Sequence, residues 1–246
     1  MNKILKLILI PLAVAPVLVS CEKEDPYAIS MDVLSVGLDT IQGYEVVDLG
    51  LNVLWAKCNL GADSPEKPGY YISWGETAPK TLYTEKNYAW SNGAGIRYTK
   101  YCNNPQYGDQ DFTDSLVVLT RQDDAAVAIM GNGWRLPNQT DYANLRTWCT
   151  IRYCTLNGQG GFLLTSTKKG YENRSIFIPM AGVMDYDENL HSGKYGFYWT
   201  NALDTSDPSL ARIMRFHHED GITDMEREKS HDRYIGLTIR PVINRQ

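Results

Sequence analysis

The stretch at residues 131–149, GNGWRLPNQTDYANLRTWC, constrains the fold most strongly, because it predicts a buried extended segment followed directly by a helix. Gly131 and Gly133 allow a tight turn with positive φ, and Pro137 ends the extended run because it lacks a backbone donor. Asn138 stands where a helix N-cap is expected. Beyond it, apolar residues recur every three to four positions, which predicts a helix with one buried face.

Short apolar runs separated by Gly, Asn, Asp and Pro occupy much of the remaining chain, and they predict short strands joined by long loops. A second helix is predicted over 125–130, with Asp123 and Asp124 opening it as caps and not as a catalytic pair. The predicted strands are 45–49, 52–56, 70–74, 162–166, 175–179, 195–201, 211–217 and 234–240. The sequence therefore predicts an α+β domain with two short helices.

The first twenty residues have the pattern of a secretory signal peptide. Lys3 and Lys6 precede an apolar run that is too short and too interrupted by Pro to span a membrane stably. Leu18 to Cys21, LVSC, resemble a bacterial lipobox, in which Cys21 becomes the acylated N-terminus that holds the protein on a membrane. The predicted organisation is a signal peptide at 1–20, a tether at 21–43 and one domain at 44–246.

The residues after Cys21 predict where the protein is held. Lys23, Glu24 and Asp25 resemble the signal that sends Bacteroidetes lipoproteins to the outside of the outer membrane. The alternative is a solvated run of charge in the tether. We predict a lipid-anchored outer-membrane protein at the cell surface, while the sequence leaves a periplasmic orientation open.

Charge argues against nucleic acid as a partner. Removal of the signal peptide removes two lysines and changes the formal net charge from −5 to −7, and no dense patch of Lys and Arg remains.

Four cysteines follow Cys21: Cys58, Cys102, Cys149 and Cys154. Outside the inner membrane they can form one or two disulfides, and the spacing does not choose among the three complete pairings.

The sequence predicts no metal, no cofactor and no catalytic residue. Asp109, Asp111 and Asp114 offer oxygen ligands of the kind calcium prefers, but they lack the glycine and distal glutamate of an EF-hand, so a solvated loop is favoured. Adjacent His217 and His218 would point to opposite faces of a strand, which argues against a shared zinc site. The chain also lacks a nucleophile elbow and a phosphate-binding glycine motif.

Five fragments, at 47–62, 70–80, 123–137, 196–202 and 233–242, together resemble the Fibrobacter succinogenes major paralogous domain family over most of 44–242. That resemblance implies a secreted or surface protein with a C-type-lectin-like fold, which formylglycine-generating enzymes share. The cysteine pair of those enzymes and the EPN, QPD and WND triplets of calcium-dependent lectins are missing here, so neither activity is expected.

Phage receptor-binding proteins with this fold meet their ligands through the C-terminal segment, which implies a ligand surface at 196–240 here. This segment is rich in the Tyr, Trp and Arg residues enriched at recognition hot spots. The alternative is that its apolar side chains are core and its charged ones merely solvated. The predicted ligand-binding residues are Tyr198, Asn201, Arg212, Arg215, His217, Arg227, His231 and Arg233.

Two triplets, at Thr40 and at Ser115, resemble the Asp-Ser/Thr-apolar sites that Bacteroidetes O-glycosylate in exported proteins. Three functions follow as hypotheses. The first is a non-catalytic binding module for an extracellular glycan or protein. The second is a structural or accessory subunit of a surface appendage or envelope assembly, and the third is an unrecognised enzyme.

Overall fold

A five-stranded antiparallel sheet brings the two ends of the described chain together. The computed structural model describes residues 25–93, 97–219 and 222–245. The strand order in this sheet is β1-β2-β3-β13-β4. Its strands are β1 (Leu38–Ile41), β2 (Tyr44–Val47), β3 (Val53–Ala56), β4 (Trp134–Arg135) and β13 (Val242–Asn244).

Two three-stranded sheets and a hairpin, also antiparallel, make up the other strands. One sheet has the order β5-β6-β7 and the other the order β10-β11-β12, while β8 and β9 pair only with each other. The first sheet contains β5 (Cys149–Leu156), β6 (Gln159–Ser166) and β7 (Ser175–Pro179). The hairpin is β8 (Val183–Asp185) and β9 (Glu188–Leu190). The second sheet contains β10 (Tyr195–Leu203), β11 (Leu210–Glu219) and β12 (Ile222–Asp232).

Two α-helices, both predicted, lie on either side of β4. Helix α1 is Ala125–Met130 and α2 is Gln139–Trp148. Short 3-10 turns occur at Met31–Leu34, Glu85–Asn87, Asp109–Asp111 and Arg121–Asp123. The described residues are therefore mostly β with few short helices, which agrees with the predicted α+β class.

The predicted caps Asn138 and Asp124 are confirmed, whereas Asp123 does not cap α1. Its Oδ2 accepts from Lys100 Nζ at 2.6 Å and from the Thr120 hydroxyl at 2.8 Å. The side-chain oxygen of Asn138 accepts from the backbone N–H of Asp141 at 2.8 Å, and the Asp141 carboxylate accepts from the N–H of Asn138 at 2.9 Å. Asp124 is the N-cap of α1, and its Oδ2 also accepts from the N–H of Leu136 at 2.9 Å. Gly131 has a φ of 98° and so takes the conformation expected from the sequence. Asp124 thus ties the start of α1 to the strand-to-helix connection after it.

Two predicted strands are wrong. Residues 70–74 and 234–240 form no strand; they meet through a single bridge between Ile72 and Leu237. Most of the apolar residues in both segments are buried, although Tyr70 is exposed; the buried ones are Ile72, Trp74, Ile235, Leu237 and Ile239. The apolar pattern therefore predicted most of the buried side chains correctly, but it predicted strands that do not form. The other six predicted strands overlap strands of the structure.

The predicted tether at 21–43 is wrong for its described part, which belongs to the domain. The N–H of Ile29 donates to the carbonyl of Thr155 at 2.9 Å, and the N–H of Thr155 donates to the carbonyl of Tyr27 at 2.9 Å. Leu34 is buried, and β1 pairs with β2 over its whole length. The domain therefore begins no later than Asp25, well before the predicted boundary at residue 44.

The core contains four fully buried tryptophans, Trp55, Trp74, Trp134 and Trp199. The indole N–H groups of Trp74 and Trp199 donate to the carbonyls of Thr200 and Ile72, at 2.9 and 2.8 Å. These bonds satisfy two buried polar groups and join the segment that contains Ile72 and Trp74 to β10.

The four described cysteines carry free thiols. Cys102, Cys149 and Cys154 are buried in three different apolar clusters, and Cys58 is half-buried. The one or two disulfides that the sequence allows are not formed within the described residues. Burial raises the pKa of Cys149 to about 12, so this thiol is held in the neutral form.

No helix among the described residues is long and apolar enough to cross a membrane.

Candidate binding cavity

Both faces of the sheet β10-β11-β12 contribute to the core, and one of them also opens to a cavity. Side chains alternate along each strand, so Tyr198 and Phe216 enter the core while Tyr195, Arg215 and His217 lie on the other face. His218 returns to the core side, where its ring stacks on Tyr153 with centroids 4.1 Å apart. This confirms that His217 and His218 point to opposite faces.

The cavity lies between this sheet and the β8–β9 hairpin and has a volume of about 400 Å³. The sheet contributes Phe197, Arg215, Lys229 and His231, and the hairpin and the turn after it contribute Asp185 and His191. One open space therefore holds an aromatic ring, two cations, two imidazoles and a carboxylate.

Arg215 is held by one ion pair that leaves part of its guanidinium unused. Its Nε donates to Glu226 on β12, and its carbon Cζ lies 5.7 Å from the centre of the Tyr195 ring. This bond holds the pKa of Glu226 below its usual range, against the opposing effect of burial. Among the described residues, neither Nη atom of Arg215 has a hydrogen-bond partner. Two charged donors thus remain for a ligand.

Asp185 supplies the complementary acceptor. Its Oδ1 is buried and receives no hydrogen bond from the described residues. A buried carboxylate oxygen without a donor costs free energy. Asp185 also lines the cavity, where its carboxylate can accept a hydrogen bond from a ligand.

His231 is neutral and has a defined tautomer. Its Nδ1 accepts from the N–H of Asp232 at 2.9 Å, which places the ring proton on Nε2. Burial holds the pKa of His231 below its usual value; Asp232 and Asp185 oppose this shift, and His191 adds to it. Phe197 meets the imidazole edge-to-face, with centroids 5.9 Å apart.

Acidification should destabilise the protein through His231. The folded pKa lies below the unfolded one, so the unfolded chain binds the proton more readily and stability falls as the pH falls through this interval. We expect the melting temperature of the wild type to fall more steeply than that of His231→Gln between about pH 7 and pH 5. Thermal unfolding followed by circular dichroism across that range checks this, and parallel curves would contradict it.

Three of the predicted ligand residues occupy this face. Arg215 and His231 line the cavity, and His217 lies beside it, with its ring 5.9 Å from that of Tyr195. Asn201 and Arg212 do not line it. Arg212 pairs with Asp204 at 3.2 Å and borders a separate depression. The side chain of Arg227 lies outside the described residues.

Tyr198 and Arg233 were predicted to bind ligand, and the structure corrects their placement, because both are fully buried. The Tyr198 hydroxyl donates to the carbonyl of Pro179 at 2.7 Å. Burial raises its pKa. Both side chains hold the fold together and do not reach a ligand.

Arg233 is a buried cation held mainly by carbonyl groups. Its Nη1 donates to Tyr101 at 3.0 Å and Pro208 at 2.9 Å, and its Nη2 donates to Lys100 at 3.0 Å, in each case to the backbone oxygen. Its Nε donates to the Tyr88 hydroxyl at 3.1 Å. The guanidinium also lies over three aromatic rings, those of Trp74, Tyr88 and Tyr98.

Sequence reasoning missed the other half of the cavity, which consists of Asp185, His191, Phe197 and Lys229. Asp185 belongs to a hairpin, and His191 to the turn after it; strands this short give no clear apolar pattern. Phe197 was predicted as a strand residue and not as a ligand-binding residue. Lys229 lies on β12, where polar residues hide the strand. The signal available in the sequence was the turn at 185–188, which contains three acids and Tyr186.

The loop that contains Asp109, Asp111 and Asp114 is held by hydrogen bonds that nearby N–H groups donate to its carboxylates. Asp114 accepts from the N–H groups of Tyr101, Cys102 and Leu116 at 2.8, 3.1 and 3.1 Å, and Asp109 accepts from the side chain of Asn92 at 2.6 Å. No group of three metal-ligating side chains occurs in the described ranges.

The modification and anchoring residues are placed as far as the structure describes them. Thr40 and Ser115 are exposed. Cys21, Lys23 and Glu24 lie outside the described residues, whereas exposed Asp25 accepts from the Thr155 hydroxyl.

The chain matches no protein-family model, no curated protein and no solved structure. The resemblance to the major paralogous domain family therefore stays a prediction.

Proposed function

We propose that this protein is a surface-exposed outer-membrane lipoprotein whose domain, C-type-lectin-like in fold, is a non-catalytic recognition module for an extracellular glycan or protein. The lipobox at Cys21 supports the anchoring, and the residues after it support export to the surface. The cavity supports the recognition role.

The observation that carries the proposal is the open face with unused polar groups. Ligand sites in proteins are concave, with an apolar wall and a few polar groups that fix orientation, and they have volumes of about 300–1,000 Å³. Here Phe197 supplies the wall, and Arg215 and Asp185 supply a donor and an acceptor.

The contacts of the cavity hydroxyl favour binding over catalysis. Ser230 donates to Asp204 at 2.6 Å and not to His231 or His191. A hydroxyl nucleophile needs a base within hydrogen-bond reach, and the bonds around Ser230 do not supply that pairing.

One feature favours the alternative of a structural or accessory subunit. Strand β12 has eleven residues and, among the described residues, pairs with a strand on one side only, β11. An open edge of this length can accept a strand from a neighbouring subunit. Its charged side chains oppose such pairing, so we place this function second.

Protease shaving of intact cells tests the location. We expect the wild-type domain to be lost from intact cells, and Cys21→Ala to leave the membrane fraction because it cannot be acylated. A variant with Lys23, Glu24 and Asp25 all replaced by Ala should stay in the membrane and be protected.

A periplasmic marker protein that stays intact shows that the outer membrane is closed. Protection of the wild-type domain under these conditions would contradict surface exposure and bring the envelope-assembly function forward.

A further inference from the structure

We propose that the cavity binds a sugar residue that carries a carboxylate, with the carboxylate on the Nη atoms of Arg215 and a ring hydroxyl donating to Asp185. This inference rests on the proposed recognition function and names the ligand class of the same site.

The unused atoms define the ligand. Arg215 presents two charged donors, because Nε alone is engaged by Glu226. A guanidinium binds a carboxylate through paired, charge-assisted hydrogen bonds. Asp185 lines the same cavity, and its carboxylate accepts hydrogen bonds, so a ligand that meets both residues carries an anionic group and an N–H or O–H group.

The permanent positive charges that line the cavity are those of Arg215 and Lys229, and Glu226 and Asp224 are the carboxylates that act on Arg215. Lys229 lies 3.9 Å from Glu226, so this carboxylate faces two cations. His191 and His231 also line the cavity, and their ring nitrogens offer further hydrogen-bonding groups. Among the described residues that line the cavity, Asp185 is the one carboxylate.

The shape and the apolar surface favour a sugar over a peptide. At about 400 Å³ the cavity lies near the small end of the range for ligand sites. Its apolar wall is made by Val183, Leu190 and Phe197. A sugar ring presents an apolar C–H face together with hydroxyls at fixed spacing, which suits a wall bounded by an acceptor and a donor. An acidic peptide carries the carboxylate without those hydroxyls.

The test compares each acidic sugar with its own methyl ester, which keeps the ring and removes the charge. The mature chain is purified from membranes in detergent, and calorimetry measures binding of glucuronate, galacturonate and mannuronate oligosaccharides, of N-acetylneuraminate, and of their esters. We expect at least one acid to bind at least about tenfold more tightly than its ester, as loss of a charge-assisted bond implies.

Variants assign the effect to the cavity. Arg215→Gln should remove the preference for the acid, whereas Arg152→Gln, which changes an exposed arginine on β5, should keep it. Asp185→Asn should weaken binding of the acid and its ester alike. If Arg215→Gln does not fold, Lys229→Gln provides a second variant, because the Lys229 side chain is 47% exposed. It removes one positive charge from the cavity and should reduce the ratio of acid affinity to ester affinity.

Several outcomes would overturn the inference: equal binding of acid and ester, no binding of any acid by folded wild-type protein, or tighter binding of a poly-glutamate peptide. Binding of a neutral glycan or a protein instead would overturn the inference and leave the proposed function standing. Protection of the domain from shaving contradicts only the proposed location.

Discussion

Arg233→Ala should lose about 4 kcal/mol of folding free energy, a large part of the roughly 5–15 kcal/mol that holds a domain together. The substitution removes a fully buried guanidinium and leaves the carbonyls of Lys100, Tyr101 and Pro208 without their donor. A buried polar group that loses its partner costs about 1–3 kcal/mol. The lost contacts with three aromatic rings add to this loss.

The arrangement requires the flat fork of an arginine. Arg233 reaches three carbonyls and a hydroxyl at once, and the ammonium group of a lysine has three donors in a different geometry. Arg233→Lys should therefore recover little of the lost stability. Urea unfolding followed by tryptophan fluorescence measures both variants, with Arg152→Ala as a control that should unfold like the wild type. Wild-type stability of Arg233→Lys would contradict this account.

Asp141→Ala should cost about 3–5 kcal/mol, because it breaks a buried ion pair and leaves its partners unpaired. Asp141 is fully buried and accepts from Arg135 at 2.6 Å, from the side chain of Asn52 at 3.1 Å and from the N–H of Asn138 at 2.9 Å. Arg135 also reaches Asn244 on β13 at 3.2 Å. One carboxylate thus joins the start of α2, the loop before β3 and the five-stranded sheet.

A matched surface pair provides the control. Asp63 pairs with Lys67 at 2.8 Å, and both side chains are mostly exposed. Asp63→Ala should leave the unfolding midpoint unchanged, since exposed pairs contribute little. Differential scanning calorimetry of the two variants gives the comparison. Equal melting temperatures for Asp141→Ala and the wild type would show that this carboxylate does not hold the elements together.

Local chemistry made the helices predictable. The capping geometry of Asn138 and Asp124 depends on residues within a few positions, so the sequence placed both helices correctly. Strand β12, with the sequence ITDMEREKSHD, was not predictable because one of its faces is polar and its pairing with β11 depends on the tertiary fold. Residues 234–240 failed in the opposite way. Their apolar side chains are buried, which gave the sequence a strand-like pattern, but the segment forms no strand.

Only the part of the candidate site that lies on the sheet was predicted from the sequence. Arg215, His217 and His231 belong to that sheet, and their residue types are those expected at a recognition surface. Asp185 and His191 come from a hairpin that packs over that sheet, a pairing set by tertiary contacts. Residue type alone also misassigned Arg233 and Tyr198, because it does not distinguish a buried side chain from an exposed one.

The packing of the first described residues has a consequence for orientation. Tyr27 contacts Tyr153 and His218, with ring centroids 5.2 and 6.3 Å apart, so the chain enters the domain beside the core-facing side of β11. Asp25 is four positions after Cys21, and four fully extended residues span at most about 14 Å. An acylated Cys21 would therefore hold the domain close against the lipid headgroups. His217, one residue from His218, points the opposite way, so the cavity would face away from the bilayer.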